Sequence, residues 1–233
     1  MKSHGVDVVH MGDEMNRAVA ATPPTRTTYR HGDLRRALLE AGIDLARDGG
    51  PDAIVLREAT RRAGVVPNAA YRHFASRQDL LQAVRAWALS SLAMAMEAEM
   101  AAIPADASPA ERARGSLRAV GMGYLQFALT ETGLFRTAFS VPDDVEADTD
   151  PAKAGNSGLN PFELLGAALD RWVEAGLLAP DRRPGAEYIA WSAVHGLAVL
   201  LIDGPLRSRA REQAAVIGQR LLEMVERGLQ TGG

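Results

Sequence analysis

The stretch LREATRRAGVVPNAAYRHF, residues 56–74, decides the fold. It reads as two short helices bent about a glycine. The first runs from Leu56 to about Ala63, and the second begins near Pro67 and reaches about Phe74. Gly64 suits the bend because a left-handed backbone is cheapest where there is no β-carbon. Pro67 suits a first helical position, where an N–H has no partner in any case. Asn68, Ala69 and Ala70 leave the start of the second helix slim. Small residues there let a helix enter a DNA major groove closely, where its N-terminal side chains meet base edges. Tyr71, Arg72 and His73 follow, and each can donate to a phosphate. Phe74 reads as core, and Thr60 as core or boundary.

Working outward, the pattern stays helical almost to the end. Upstream, Asp33 is placed to cap a helix carrying Leu34, Leu38, Ala41 and Leu45 on one stripe, stopped by Gly49, Gly50 and Pro51. Downstream, Ser76 and Asp79 form a capping signal that opens a long helix reaching about Ala102. Ser108 and Glu111 open another, to about Thr130, and a short helix is expected over 134–140. Residues 141–160 are acidic and rich in Pro, Gly and Asp, which predicts a long mobile loop. Asn160 opens a helix to about Glu174, and two more are expected over 185–202 and 207–230. No segment alternates polar and apolar residues long enough for a strand. The expected fold class is all-α. A three-helix helix-turn-helix head over 29–75 precedes a larger helical body over 76–233. Residues 1–28 form a flexible tail in which Pro23 and Pro24 block helix, and Met11 and Met15 are alternative starts.

Charge follows the same division. Residues 24–87 hold eleven Arg and seven Asp+Glu, whereas 88–233 hold thirteen Lys+Arg and nineteen Asp+Glu. A basic segment on an acidic body suggests that one part meets a polyanion and the rest does not. The 233 residues include no cysteine, which excludes disulfides, thiolate metal sites and a cysteine nucleophile. The longest apolar run, 196–202, is far too short to span a bilayer. The N-terminus lacks the apolar core of a signal peptide, so a cytoplasmic protein with no membrane partner is expected. No HExxH, GxSxG or phosphate-loop pattern is present, which argues against an enzyme, and no cofactor is called for. Gly121 and Gly123 lie inside a helical pattern. The carboxylates Asp144, Glu146, Asp148 and Asp150 alternate as in a calcium loop, but Gly155 stands where a bidentate glutamate is needed.

The head resembles the TetR family of bacterial transcriptional regulators over about residues 29–87. The likeness rests on Leu56-Arg-Glu, Ala63-Gly-Val, Tyr71-Arg-His-Phe, and the run from Ser76 through Arg77, Gln78 and Asp79 to Leu80 and Leu81. Trp191-Ser-Ala-Val-His-Gly196 resembles the Trp/His-Gly signature of one C-terminal subgroup. The resemblance implies a homodimer on double-stranded operator DNA, with a small-molecule effector in the body. Carried over, Asn68, Ala69 and Ala70 face bases, Tyr71, His73 and Arg77 hold phosphates, and Arg57 is a further phosphate candidate alongside Arg72. Arg26 and Arg30 reach an adjacent groove. Three positions depart from the family pattern. Val55 and Val66 stand where a hydroxyl cap is usual, and Thr60 where a small alanine packs.

A mainly apolar effector is expected between the helices carrying Met122, Phe127, Phe135, Trp172 and Trp191. His195, Tyr124 and Gln126 are its nearest polar candidates. For His195 a ligand contact and a core histidine both remain open. The dimer is expected to use Gly196, Leu197 and Leu200 from one helix and Ile217, Leu221, Met224 and Val225 from the next. The expected function is a ligand-responsive repressor on a palindromic operator. Its competitors are a helical small-molecule protein that does not use its head on DNA, and a nucleoid-type binder without sequence preference.

Overall fold

The computed structural model describes residues 31–142, 144–209 and 211–230. The expected tail, with Arg26 and Arg30, lies outside them. Among the described residues the chain is all helix and loop. Nine α-helices follow in order: α1 His31–Gly49, α2 Leu56–Arg62, α3 Pro67–Ala70, α4 Arg77–Ala101, α5 Pro109–Thr130, α6 Thr132–Ala138, α7 Pro161–Glu174, α8 Ala186–Ile202 and α9 Arg211–Gln230. Short 3-10 turns sit at Pro51–Ala53, Pro151–Lys153 and Pro180–Arg182. None of these helices is long and apolar enough to cross a membrane.

Local capping chemistry sets the starts of α4, α5 and α7. The Ser76 hydroxyl accepts the Asp79 N–H at 3.1 Å to open α4. Ser108 with Glu111 and Asn160 with Glu163 each form a reciprocal capping box, opening α5 and α7. Two expectations at helix ends change. α1 already begins at His31, so Asp33 lies inside it and does not precede it. α3 stops at Ala70, four residues short of Phe74, and residues 71–73 continue as turns.

α1, α2 and α3 form the head around Leu38, Ala46, Ile54, Ala59, Ala70 and Phe74, all buried. α4 runs from this head into the body, where it packs along α5. α5 is central and also touches α6, α7, α8 and α9. At Gly123 an added β-carbon would come within 2.7 Å of the Met96 Cα. The glycine therefore lets α4 and α5 approach closely. Trp172 is fully buried, and its indole N–H donates to the Ala113 carbonyl at 2.8 Å, tying α7 to α5. Arg118 forks onto Glu226 with bonds of 2.5 and 2.6 Å, tying α5 to α9.

The 141–160 segment is longer than any other connection, as its composition predicts, but it is folded back against the body. Both Glu97 carboxylate oxygens, on α4, accept N–H groups from it, at 2.9 Å from Asn156 and 2.8 Å from Ser157. Partial burial works against the charged form of Glu97. The bonds from Ser157 and Asn156 outweigh it and hold the carboxyl below its ordinary range. Lys153 and Asp148 pair within the segment.

Candidate functional site

Two regions of the molecule carry possible chemistry: the turn-linked helices α2 and α3, and a cavity inside the body.

In the head, Gly64 has φ +67°, the left-handed backbone expected of the bend between α2 and α3. Val55 and Val66 occupy the N-cap positions of the two helices, and neither makes a side-chain cap bond. Thr60 is buried, and its hydroxyl bonds the Arg57 carbonyl at 2.7 Å, which closes off the extra polarity at that position. Asn68, Tyr71 and Arg72 are exposed, Ala69 and His73 are half-buried, and Arg57 is exposed on α2.

Two candidates are placed differently from the sequence reading. Ala70 has no exposure and belongs to the head's core, because the face of α3 that packs on α1 and α2 passes through it. Arg77 is exposed, but its guanidinium is engaged by the protein itself: its Nε donates to the Ile54 carbonyl and its terminal nitrogen to the Pro51 carbonyl, each at 2.7 Å. Its guanidinium thus braces the loop between α1 and α2. The basic surplus of the head is also partly neutralised within it. Arg61 and Arg62 pair with Glu58, and Arg62 with Asp48. The Arg61 bond, aided by Arg62, draws the Glu58 carboxyl down to about 2.

In the body, a cavity of about 400 Å³ lies among α4, α5, α7, α8, α9 and the folded-back segment. Arg85 and Leu89 of α4, Val120 and Tyr124 of α5, Phe139 after α6, Phe162 of α7, and Trp191 and His195 of α8 line it. Its wall is mainly apolar with a few polar groups, the usual make-up of a small-molecule site. Tyr124, Phe139, Trp191 and His195 form a ring cluster with centroids 5.0–6.2 Å apart. The Tyr124 hydroxyl joins two α8 side chains: it lies 2.7 Å from His195 Nδ1 and accepts the Trp191 indole N–H at 3.1 Å. Burial pushes the Tyr124 phenol up and the His195 imidazole down, so both are neutral near pH 7.

Of the expected cavity residues, Tyr124, Trp191 and His195 line it. Met122, Phe127, Phe135 and Trp172 do not. Phe127 and Trp172 are buried elsewhere in the core, Met122 is half-buried near Gly218 of α9, and Gln126 faces solvent. Phe135 stands one layer back, edge-on to Tyr124 at 5.4 Å. Sequence reasoning missed Arg85, Leu89, Val120 and Phe162. The one signal for α4 was its spacing, since Arg85, Leu89 and Met96 recur at helical intervals on one face.

α4 connects the two regions. Arg77 braces the head's loop, and about two turns later Arg85 is buried in the cavity wall. Arg85 donates to the carbonyls of Ala138 and Val141 at 3.3 and 3.0 Å and to Gln82 at 2.7 Å.

Two family models match the chain. Residues 38–84 match the model described as bacterial regulatory proteins, tetR family. Residues 117–225 match the tetracyclin repressor-like C-terminal domain. No curated protein matches the sequence significantly. Among solved structures, a protein of unknown function from Rhodococcus sp. RHA1 is 24% identical with a TM-score of 0.69, covering 88% of this chain and all of that one. The TetR family transcriptional regulator PfmR from Thermus thermophilus is 20% identical with a TM-score of 0.53, covering 84% of this chain and 96% of that one. A variant of TetR from Acinetobacter baumannii AYE, solved in complex with minocycline, is 15% identical with a TM-score of 0.52, covering 84% of this chain and 97% of that one. These structural likenesses establish the fold, and the two family matches, together spanning more than half of the sequence, establish the lineage: the chain belongs to the TetR family of bacterial regulators.

Proposed function

We propose that the protein is a ligand-responsive repressor that binds a palindromic operator as a homodimer and releases it when a small, mainly apolar effector enters the body cavity. The head is residues 29–75 and the body 76–233. The α8 stretch from Trp191 to Gly196 supports grouping the body with the Trp/His-Gly subgroup. The observation that carries the reading is the span of α4, which braces the head through Arg77 and walls the cavity through Arg85. A ligand that moves the cavity wall thereby moves the element on which the head is mounted.

On the DNA side, Asn68 and Ala69 face base edges, and Tyr71, Arg72, His73 and Arg57 take phosphates. Exposure supports Asn68, Tyr71, Arg72 and Arg57 in these roles. Tyr188, Ile189, Val199 and Leu200 of α8 and Val216 and Met224 of α9 are exposed apolar side chains, which favours covering by a second copy. Gly196, Leu200 and Met224 belong to that face, while Leu197 and Val225 point into the body. A two-fold protein requires half-sites about one helical turn, roughly 34–36 Å, apart.

The test is fluorescence anisotropy on DNA flanking the gene, with a scrambled duplex beside it. Saturable, sequence-dependent binding that a cavity ligand weakens is expected. Equal affinity for both duplexes would sink the specific-regulator reading. To release DNA the ligand must bind the released conformation better, and operator DNA must then weaken ligand binding by the same factor.

A further inference from the structure

The cavity's polar groups can be taken one by one. Lys153 pairs with Asp148. Asn160 is used on both sides, its oxygen accepting the N–H groups of Phe162 and Glu163 and its nitrogen donating to the Asp148 carbonyl. Arg85 holds Gln82 and two carbonyls. The Trp191 N–H goes to Tyr124. Ser192 is exposed at the cavity's edge.

The Tyr124–His195 contact fixes the remaining choice. An indole N–H only donates, so the Tyr124 oxygen accepts from Trp191. If His195 Nδ1 also donated to that oxygen, the buried hydroxyl's own proton would have no partner. The arrangement that pairs the buried hydroxyl fully has it donating to Nδ1, which leaves the imidazole proton on Nε2. Nε2 lies across the ring from Tyr124 and has no hydrogen-bond partner among the described residues. The tyrosine therefore sets the tautomer and presents a neutral N–H donor at the cavity.

We infer that the cavity selects an uncharged, ring-sized apolar molecule carrying one oxygen acceptor, a carbonyl or ether, which His195 Nε2–H binds. This rests on the cavity being the effector site proposed above. A cationic ligand would need a carboxylate, and among the described residues the wall's carboxylate, Asp148, is paired with Lys153. An anionic ligand would compete with the acceptors the protein itself gives to Lys153 and to the terminal nitrogens of Arg85, and the naphthoate arm of the test reads what the Arg85 Nε adds. Aromatic probes suit the wall of Phe139, Phe162 and Trp191.

Four naphthalenes of matched skeleton test this by calorimetry on the intact protein: 2-acetylnaphthalene, 2-ethylnaphthalene, 2-naphthoate and 2-naphthylmethylammonium. The ketone is expected to bind about tenfold tighter than the ethyl compound, and tighter than either ion. His195→Phe should erase the ketone's advantage while keeping ethylnaphthalene binding, which also shows that the variant is folded. His195→Gln restores a donor and should recover part of the advantage. Binding of all four with no ketone preference, or with an ion bound tightest, overturns this inference and leaves the effector cavity standing. A ketone preference that survives His195→Phe overturns it as well. Binding of none of the four removes the effector cavity itself, and this inference with it.

Discussion

Gly133, in the first turn of α6, lies against the Ala46 carbonyl near the end of α1 so closely that a β-carbon would overlap that oxygen. It would also come 2.6 Å from the Arg47 carbonyl oxygen. Head and body therefore meet backbone to backbone. Arg47 strengthens the joint, reaching Glu131 at 3.2 Å and stacking over the Trp87 ring at 5.3 Å.

Gly133→Ala should force α1 and α6 apart and destabilise the protein by about 1–3 kcal/mol, as overpacking of a close contact does. Gly228→Ala, where a β-carbon meets nothing, should be neutral or stabilising, because alanine is the better helix former. Urea unfolding of both variants checks this. Equal midpoints for the two would show that the joint yields freely.

Arg77→Ala and Arg72→Ala should part company on DNA. Arg77 holds loop carbonyls, so its loss should cost about 1–2 kcal/mol of folding stability and leave the salt dependence of DNA binding nearly unchanged. Arg72 is exposed, and its loss should lower the slope of log affinity against log salt by about one while stability holds. A titration across salt concentrations, run beside thermal melts, separates the two.

Asn68→Ala should shift base preference at one or two positions of each half-site, with the salt slope unchanged. Ala70→Leu should lower stability by about 1–3 kcal/mol through overpacking of the head's core, because that position has no free space toward DNA. Selection from a randomised half-site library reads the first effect, and denaturation the second.

Leu200→Asp combined with Met224→Asp should convert a micromolar dimer into a folded monomer, since both side chains are exposed on the uncovered α8–α9 face. Sedimentation gives the mass, and circular dichroism shows that the helices remain. A wild type that sediments as a monomer at that concentration would end the homodimer proposal.

His195 sets an acid limit on the body. Burial lowers its folded pKa below the ordinary 6.5, so the unfolded chain binds the proton more readily than the native one. Its contribution is complete above about pH 6.5 and is lost as pH falls through and below that value. Stability measured from pH 8 to 5 should therefore decline more steeply in the wild type than in His195→Gln.

What the sequence made legible is local. Gly64, Pro67, Ser76 with Asp79, Ser108 with Glu111, and Asn160 with Glu163 each signal through neighbours within a turn, and their helices begin or bend there. The end of α3 and the inward face of Ala70 depend on α1, which short-range pattern does not report. The cavity was harder still. Tyr124 and His195 are 71 residues apart, and Glu97 anchors amides 59 and 60 residues away. An aromatic at helical spacing looks the same whether it fills a core, as Trp172 does, or borders a space, as Trp191 does.

The Glu97 anchor divides the cavity wall into two materials. Helices α4, α5 and α8 also carry the core and the joint to the head, so their residues are not free to change. Val145 and Asp148 belong to a stretch fastened to α4 through amide N–H groups, which any non-proline residue supplies. Within that stretch a change at Val145 alters the cavity wall while leaving the Glu97 anchor and the helices that join body to head untouched.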